Sequence, residues 1–592
     1  MPSRHLLDEV LVEMKDNPEQ LDAVHKKGNC VVLAGPGSGK TKTLSAAMAR
    51  TLLEDVEEPR GVACITYSNE CAIELVERLT KLGIEPSPNV FISTVHSFAM
   101  SQIIAPYARC VLPELPGNFR VAGRQECREA VEIAYQHAIG GSEDPHRRWF
   151  FAAEKRRRDI DREKPEWLTV NPELAAFILA YEGELHSKGL IDFEDMPLIA
   201  YRMIRDHRWI VEAINARFPS IFVDEYQDLG HALHGLVEEL CLSGGSRVFA
   251  VGDIDQSIYA FTGANPELLE SLTERDDVNT IRLKLNYRCG TKIISASMAA
   301  LGEEREYKGF DNTRKGEVRF GGIDGGDNAQ AKAVFDHIMP MISGIPIDRV
   351  AILYRTADQG TAVAEAAQAA GVPIVRADNQ ALVPRNSQLA RLTEGCAAWA
   401  VGGWRDAKPP FRRLAYNAVM LVYGSSHSED EFEQIQQELI AFLTESIGQY
   451  EFAHDWLNAF KNTLATPWQK RCRNVGVEWD HLDNMIERTG SGERDENLPL
   501  THFGGRIEGS GRLTLSTLHS AKGREFDVVI LFGMSNDVIP NWRDNKSPHA
   551  LREARRLFYV GVTRARHQLF ITYRKGAASP WVLALSDRLK EE

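Results

Sequence analysis

Residues 31 to 44 read VVLAGPGSGKTKTL, an apolar run, a turn holding Gly35, Gly37 and Gly39, and then Lys40-Thr41 opening a helix-compatible segment. A polyphosphate is held by a concave row of backbone N–H groups, and only a chain unhindered by side chains can wrap around it. The three glycines, with Ser38 among them, provide that freedom. Lys40 brings an ammonium to the β and γ phosphates, Thr41 offers a hydroxyl to Mg²⁺, and the new helix, which continues through Lys42, aims its positive end at the same charge. The stretch predicts a site for Mg-nucleoside triphosphate, and with it an α/β core in which a buried strand feeds a helix. Its first position is Ala34 where the general pattern has glycine.

A chain of 592 residues has room for roughly four domains. A net charge of −14 argues against wholesale attraction to polyanions but leaves local basic and aromatic surfaces open. Nine cysteines without a CxxC pair read as reduced thiols of a cytoplasmic protein, with no zinc or iron–sulfur site. No apolar run approaches the roughly 18 residues of a membrane span, and the charged amino terminus is unlike a signal peptide. The expectation is a cytoplasmic protein with no membrane partner.

Asn17-Pro18-Glu19-Gln20 marks a helix start. Gln20 follows it just ahead of the phosphate loop, and a glutamine amide can pair with the N6 and N7 edge of adenine. Residues 62 to 67 and 90 to 94 read as buried strands. Ligands gather at the carboxyl ends of strands in open α/β sheets, so Tyr67, His96 and Phe98 are placed either to meet one or to pack in the core. Residues 99 to 205 have a helical rhythm and interrupt the strand-helix alternation. Within them Lys155-Arg156-Arg157-Arg158 is either a solvated helix face or a phosphate-tracking surface.

The alternation resumes at residues 220 to 223, and Asp224-Glu225 sits at that strand's end. Triphosphate hydrolysis needs one carboxylate for Mg²⁺ and one for the attacking water. Asp224 is assigned to the metal and Glu225 to the water. A further strand, residues 247 to 253, leads into IDQSIYAFTGA, and LKLNYR follows. Gln256 and Arg288 are candidate γ-phosphate sensors, and Tyr287 a candidate stacking partner for the base.

The ordered strings AGPGSGKT, ITYSNE, TVHSF, VDEYQD, VGDIDQSIYAFTGA and LNYRC resemble the motifs of UvrD/Rep-type DNA helicases of helicase superfamily one. AILYRT, STLHSAKGREFDVVI and EARRLFYVGVTRAR continue the resemblance to near the end of the chain. The resemblance implies an α/β fold with two RecA-like P-loop NTPase motor cores, parallel sheets flanked by helices, each carrying a mainly helical insertion. The expected layout is 1–98 and 206–290 for the first core around an insertion at 99–205, then 291–379 and 511–592 for the second core around a shortened, divergent insertion at 380–510.

Carried over by motif, the resemblance implies that Gln20 reads adenine, Tyr287 stacks on it and Glu525 holds the ribose. Gln256, Arg288 and Arg564 contact the γ-phosphate, with the two arginines supplied from both sides of an interdomain cleft. Tyr67, Phe98, Tyr259 and Phe261 become stacking surfaces for bases, with Thr94, His96, Thr517 and His519 near the strand's backbone. The implied activity is ATP-dependent translocation on single-stranded DNA with 3′-to-5′ unwinding of duplex.

Departures bear on this. Thr262 stands where the family usually has an arginine, and Arg524 where it has a leucine. Residues 380 to 510 lack the family's opening motif there; Ser428 with Glu431 predicts a capping box, with Phe432, Ile435, Leu439 and Phe442 at helical spacing behind it. The glycine-rich tract from Gly490 to Gly511 reads as a flexible return linker. The chain ends soon after the last motif with no acidic-cluster-plus-lysine pattern of a nuclease. A rival reading is therefore a DNA-sensing regulatory ATPase subunit of a helicase–nuclease or anti-phage assembly, with a separate nuclease as protein partner.

Overall fold

The computed structural model describes all residues except 1–3, 85, 86, 88, 114, 116–118, 153–161, 163, 425, 426, 474–478, 506–510 and 592. The basic run Lys155-Arg156-Arg157-Arg158 lies outside the described residues, as does part of the tract from Gly490 to Gly511. By internal contacts the chain divides into unit 1, Met1–Gly35 with Gly39–Leu283, and unit 2, Pro36–Ser38 with Lys284–Glu592.

Unit 1 is built on β1 (Asn29–Ala34), β2 (Val62–Thr66), β3 (Val90–Thr94), the short pair β4 (Arg120–Val121) and β5 (Leu190–Ile191), β6 (Ser220–Val223), β7 (Arg247–Gly252) and β8 (Val278–Leu283). Six of these form one parallel sheet in the order β3-β2-β6-β7-β1-β8. A parallel sheet is covered on both faces, so its central strands must be apolar throughout. NCVVLA, VACIT, SIFV and RVFAVG meet that demand and are buried almost end to end, whereas the edge strand β8 alternates. Leu44, Met48, Leu75 and Leu79 from the flanking helices close one face over Val32, Cys64, Phe222 and Phe249.

The sheet leaves off after Thr94 and resumes at Ser220. The longest helices between, Arg124–Ala138 and Pro172–Ser187, pack Ala130, Val131, Ala134 and Tyr135 on Phe177, Ile178 and Tyr181. They make a core of their own beside the β4–β5 pair.

Unit 2 begins with the short pair β9 (Leu285–Asn286) and β10 (Lys308–Gly309), followed by β11 (Glu317–Ile323), β12 (Val350–Tyr354), β13 (Ile374–Arg376), β14 (Leu513–Thr517), β15 (Phe526–Leu531) and β16 (Ala565–Arg574). Its six-stranded sheet is also parallel, in the order β11-β16-β15-β12-β14-β13. The two parallel α/β cores expected from the sequence are both present. Between Arg376 and Leu513 no strand joins this sheet among the described residues; helices fill the interval.

Those helices bury an aromatic core of Phe442, Trp456, Phe460, Trp468 and Phe503. The capping box forms: Ser428 Oγ accepts from Glu431 N at 3.2 Å, and Glu431 accepts from Ser428 N at 2.9 Å. The helix Glu429–Ser446 then buries Ile435, Leu439, Phe442 and Leu443. The opening start signal is also realised, with Asn17 Oδ1 accepting from Gln20 N and helix Pro18–His25 running from there.

Candidate functional site: a phosphate loop and two polar clusters

The phosphate loop joins β1 to helix Lys40–Glu54. Gly37 and Gly39 take left-handed φ values of +69° and +86°, which suit glycine. A Cβ on Gly39 would also collide with Gln20 Nε2, so the expected adenine reader lies directly against the loop. In unit 2, the loop residues Pro36 and Gly37 accept hydrogen bonds from Asn286 Nδ2 and Tyr287 N, each at 2.8 Å.

Lys40 is held at the loop's base. Its Nζ donates to the Ala34 carbonyl at 3.1 Å and stands 3.8 Å from Asp253 Oδ2. Gln256 Nε2 donates to the same carboxylate oxygen, so Asp253 links the loop lysine to the glutamine assigned to the γ-phosphate. Lys42 is engaged elsewhere: its ammonium pairs with Glu13 at 2.7 Å.

Asp224 follows β6 and is nearly inaccessible. Burial, with Glu225 adding to it and Lys40 opposing, raises its carboxyl from 3.8 to about 7. Asp253 is raised to about 6, mainly by burial, with Lys40 again opposing. Two carboxylates that resist ionisation beside a single ammonium form a site short of positive charge, which a divalent cation would supply. Glu225 adopts φ +52° and ψ +45°, a left-handed conformation uncommon for a side-chain-bearing residue.

Gln227 was not singled out in the sequence, and it organises this end of the sheet. Fully buried, it donates Nε2 to Glu225 Oε2, while its Oε1 accepts from Asp253 N at 2.9 Å. It thus fixes the Glu225 carboxylate against the end of β7. The signal was a polar side chain inside VDEYQD, with no apolar position to explain it.

The second cluster belongs to unit 2, which holds both Arg288 and Arg564; the expectation that the two arginines come from opposite sides of an interdomain cleft is corrected, because the first unit ends at Leu283. Glu525 pairs with both Arg288 and Arg566, so the residue expected to hold a ribose is here the bridge between two guanidiniums. Burial pushes its carboxyl up, but the two arginines outweigh that and leave it below the usual range. Arg564 is almost fully buried and donates to the carbonyls of Val560 and Arg524 at 3.0 and 3.1 Å and to Thr563 Oγ1 at 3.1 Å. Tyr287 packs its ring on Phe310, centroids 4.6 Å apart. Arg566 and Phe310 were both missed; only the second arginine of VTRAR hinted at either.

The residues assigned to a nucleic acid strand divide. Tyr67 and Tyr259 stack at 5.7 Å, Tyr259 meets Phe261 edge-on at 6.0 Å, and Phe261 is 58% exposed. Thr262 joins this group: its hydroxyl accepts from Tyr67 at 2.7 Å and donates to the Tyr259 carbonyl at 2.8 Å. His96 stacks on Phe193 at 4.4 Å, an aromatic residue that carried no signal of its own. Thr94 caps the helix that contains His96, accepting from Ser97 N at 3.3 Å. Phe98 is a correction. It is 1% exposed and packs against Phe91 and Phe218, so it belongs to the core and offers no face to a base.

In unit 2, Thr517 Oγ1 donates to Ser520 Oγ and accepts from its N–H. Burial, with Arg355 and Lys522 nearby, lowers His519 from 6.5 to about 4, leaving a neutral imidazole at physiological pH.

Parallel sheets, a phosphate loop at a strand end and paired carboxylates on the neighbouring strands define a P-loop nucleotide-binding protein. Residues 16–277 match the UvrD/REP helicase N-terminal domain and residues 478–576 the UvrD-like helicase C-terminal domain. The chain belongs to the UvrD/Rep-type helicase family. ATP-dependent DNA helicase UvrD1 of Mycobacterium leprae is 26% identical over 95% of this chain and 83% of its own length. The UvrD1 of Mycobacterium tuberculosis is 27% identical over 98% and 84%, and ATP-dependent DNA helicase PcrA of Staphylococcus aureus 26% over 94% and 83%. Among the described residues no helix is long and apolar enough to cross a membrane.

Proposed function

We propose that this chain is a cytoplasmic, ATP-hydrolysing DNA helicase that translocates on single-stranded DNA and unwinds duplex with 3′-to-5′ polarity. The observation that carries the reading is the constellation of Lys40, Asp253, Gln256, Asp224 and Glu225 at the carboxyl end of one parallel sheet. The named relatives are ATP-dependent DNA helicases that match almost the whole chain.

Thr41 and Asp224 would hold Mg²⁺, whose charge offsets that of the β and γ phosphates. The backbone of residues 35 to 39 cradles the phosphates, with Lys40 beside them. Glu225, fixed by Gln227, orients the attacking water and takes its proton. Gln20 reads the adenine edge and Tyr287 stacks on its face. Arg288, now held by Glu525, and Arg564 supply positive charge to the transferring phosphoryl group. Turnover on this reading needs the cradle, the base and the arginines together. For the strand, Tyr67, Tyr259 and Phe261 form a stacking platform with His96 and Phe193 as a second one, and Thr517 and His519 meet the backbone; stacking of this kind is sequence-tolerant. The helical segments 99–205 and 380–510 are read as insertions that modulate the two cores.

Strand displacement on duplexes carrying a 3′ or a 5′ single-stranded tail tests the reading. Unwinding of the 3′-tailed duplex alone is expected. Preference for the 5′ tail overturns the polarity, and ATP hydrolysis without unwinding of either moves the function to a DNA-sensing ATPase subunit.

A further inference from the structure

Trp542 is 65% exposed on the loop that leaves β15 in unit 2. A single exposed apolar residue is ordinary, but this one is held in a fixed turn and has cations beside its ring. Asn541 Oδ1 accepts from Arg543 N at 2.8 Å and from Asp544 N at 3.2 Å, and Asp544 Oδ2 accepts from Asn541 N at 2.8 Å. The other oxygen of Asp544 accepts from Arg355 Nη2 at 3.0 Å, which ties the turn to the residue after β12. Asp544 and Arg355 are both largely buried, so salt screens this anchor little. With its backbone already fixed, ordering the indole against a ligand costs little entropy.

The charge around the ring is positive. Lys546 Nζ lies 4.3 Å and the Arg543 guanidinium 5.2 Å from the ring centre. The carboxylates of this loop are engaged by other arginines, Asp544 by Arg355 and Asp537 by Arg574 at 3.2 Å. Among the described residues neither Arg543 nor Lys546 forms an ion pair. A cation beside an exposed ring is held weakly, so each can turn to a phosphate.

The place of the turn in the sheet points to its ligand. The loop follows the carboxyl end of β15, and β15 neighbours β12, which neighbours β14. Arg355, after β12, holds Asp544 and also lies close enough to His519, after β14, to lower the proton affinity of its imidazole. The turn therefore stands at the same end of the same sheet as Thr517 and His519, which the proposed function sets against the backbone of a nucleic acid strand.

We propose that Trp542, Arg543 and Lys546 form a further contact for single-stranded nucleic acid in unit 2. The indole stacks on a base, and the guanidinium and the ammonium meet the flanking phosphates. The contact rests on the strand-binding reading of the proposed function and adds to it an aromatic residue that the motifs do not contain.

The test is a fluorescence-anisotropy titration of labelled oligo(dT) with the full chain at several salt concentrations. Trp542→Ala is expected to weaken binding about tenfold, and Trp542→Phe to keep most of it, because a phenyl ring still stacks. Arg543→Gln combined with Lys546→Gln should make the slope of log K against log salt shallower by about 1.4, the loss of two phosphate contacts on a single strand. Trp542, Arg543 and Lys546 are all exposed, so the variants should fold, and thermal melts check that they do. Wild-type binding that is unchanged in Trp542→Ala and in the double variant overturns the contact while leaving strand binding intact. A loss in Trp542→Phe as deep as in Trp542→Ala overturns the stacking role. No binding by the wild type overturns the strand-binding reading itself, and the contact with it.

Discussion

In unit 1 the polar residues of the candidate site stand past the carboxyl ends of strands: Lys40 after β1, Asp224-Glu225 after β6, Asp253 after β7. In unit 2 the corresponding polar cluster stands at amino ends, with Glu525 just before β15 and Arg564 just before β16. The sign of the charge differs as well. Unit 1 gathers buried carboxylates around one lysine, and unit 2 gathers arginines around one glutamate. On the proposed reading the first arrangement positions a cation and a base, while the second supplies positive charge to an anion. Phosphoryl transfer needs a cation, a base and positive charge on the transferred group.

The difference predicts how each half fails. Glu225→Gln removes the base while leaving phosphate binding in place. ATP turnover should fall about a thousandfold or more with nucleotide affinity nearly unchanged. Arg288→Ala should also lower turnover, by roughly a hundredfold or more, and it frees Glu525 to pair with Arg566 alone. Steady-state kinetics beside fluorescent-nucleotide binding separates the two, and a large loss of affinity in Glu225→Gln would break the division of labour. The next effect belongs to the carboxylates only.

Because Asp224 and Asp253 have folded values raised from 3.8 to about 7 and about 6, the folded chain holds protons that the unfolded chain releases. Their contribution to stability is therefore complete below about pH 4 and is lost as pH rises through about 7. Mg-nucleotide affinity moves the other way, tightening as pH climbs through 7 and Asp224 ionises. Thermal melts from pH 5 to 8 should show the slope, and Asp224→Asn should flatten it. A slope unchanged in that variant would contradict the assignment.

The smallest effects separate two phenylalanines of unit 1. Phe261→Ala should weaken single-stranded DNA binding by about 1–3 kcal/mol without changing the melting temperature much. Phe98→Ala should cost about 3 kcal/mol or more of folding stability through the cavity it leaves, and melts and strand titrations on both variants check the contrast.

The same contrast explains what was legible beforehand. β1, β2, β3, β6 and β7 are continuous apolar runs, as parallel strands must be, and the rule that ligands gather at carboxyl strand ends reached Asp224, Glu225 and Tyr67. No local rule points to the amino ends of β15 and β16, so Glu525 and Arg564 came only through resemblance to a family, and Arg566 was missed. Gln227 and Asp253 escaped because each works by holding another side chain. That role depends on where β6 and β7 end relative to each other, and a linear string does not display it. Phe98 went the other way: its motif position suggested a strand contact, while its burial against Phe91 and Phe218 is a tertiary fact.

The measurement that bears most directly on the account is ATP hydrolysis by the wild type and by Lys40→Ala, each alone and with single-stranded DNA. The account predicts hydrolysis by the wild type that rises at least tenfold with DNA, and none above background in the variant. Hydrolysis by Lys40→Ala at the wild-type rate, or a wild type indifferent to DNA, would contradict it.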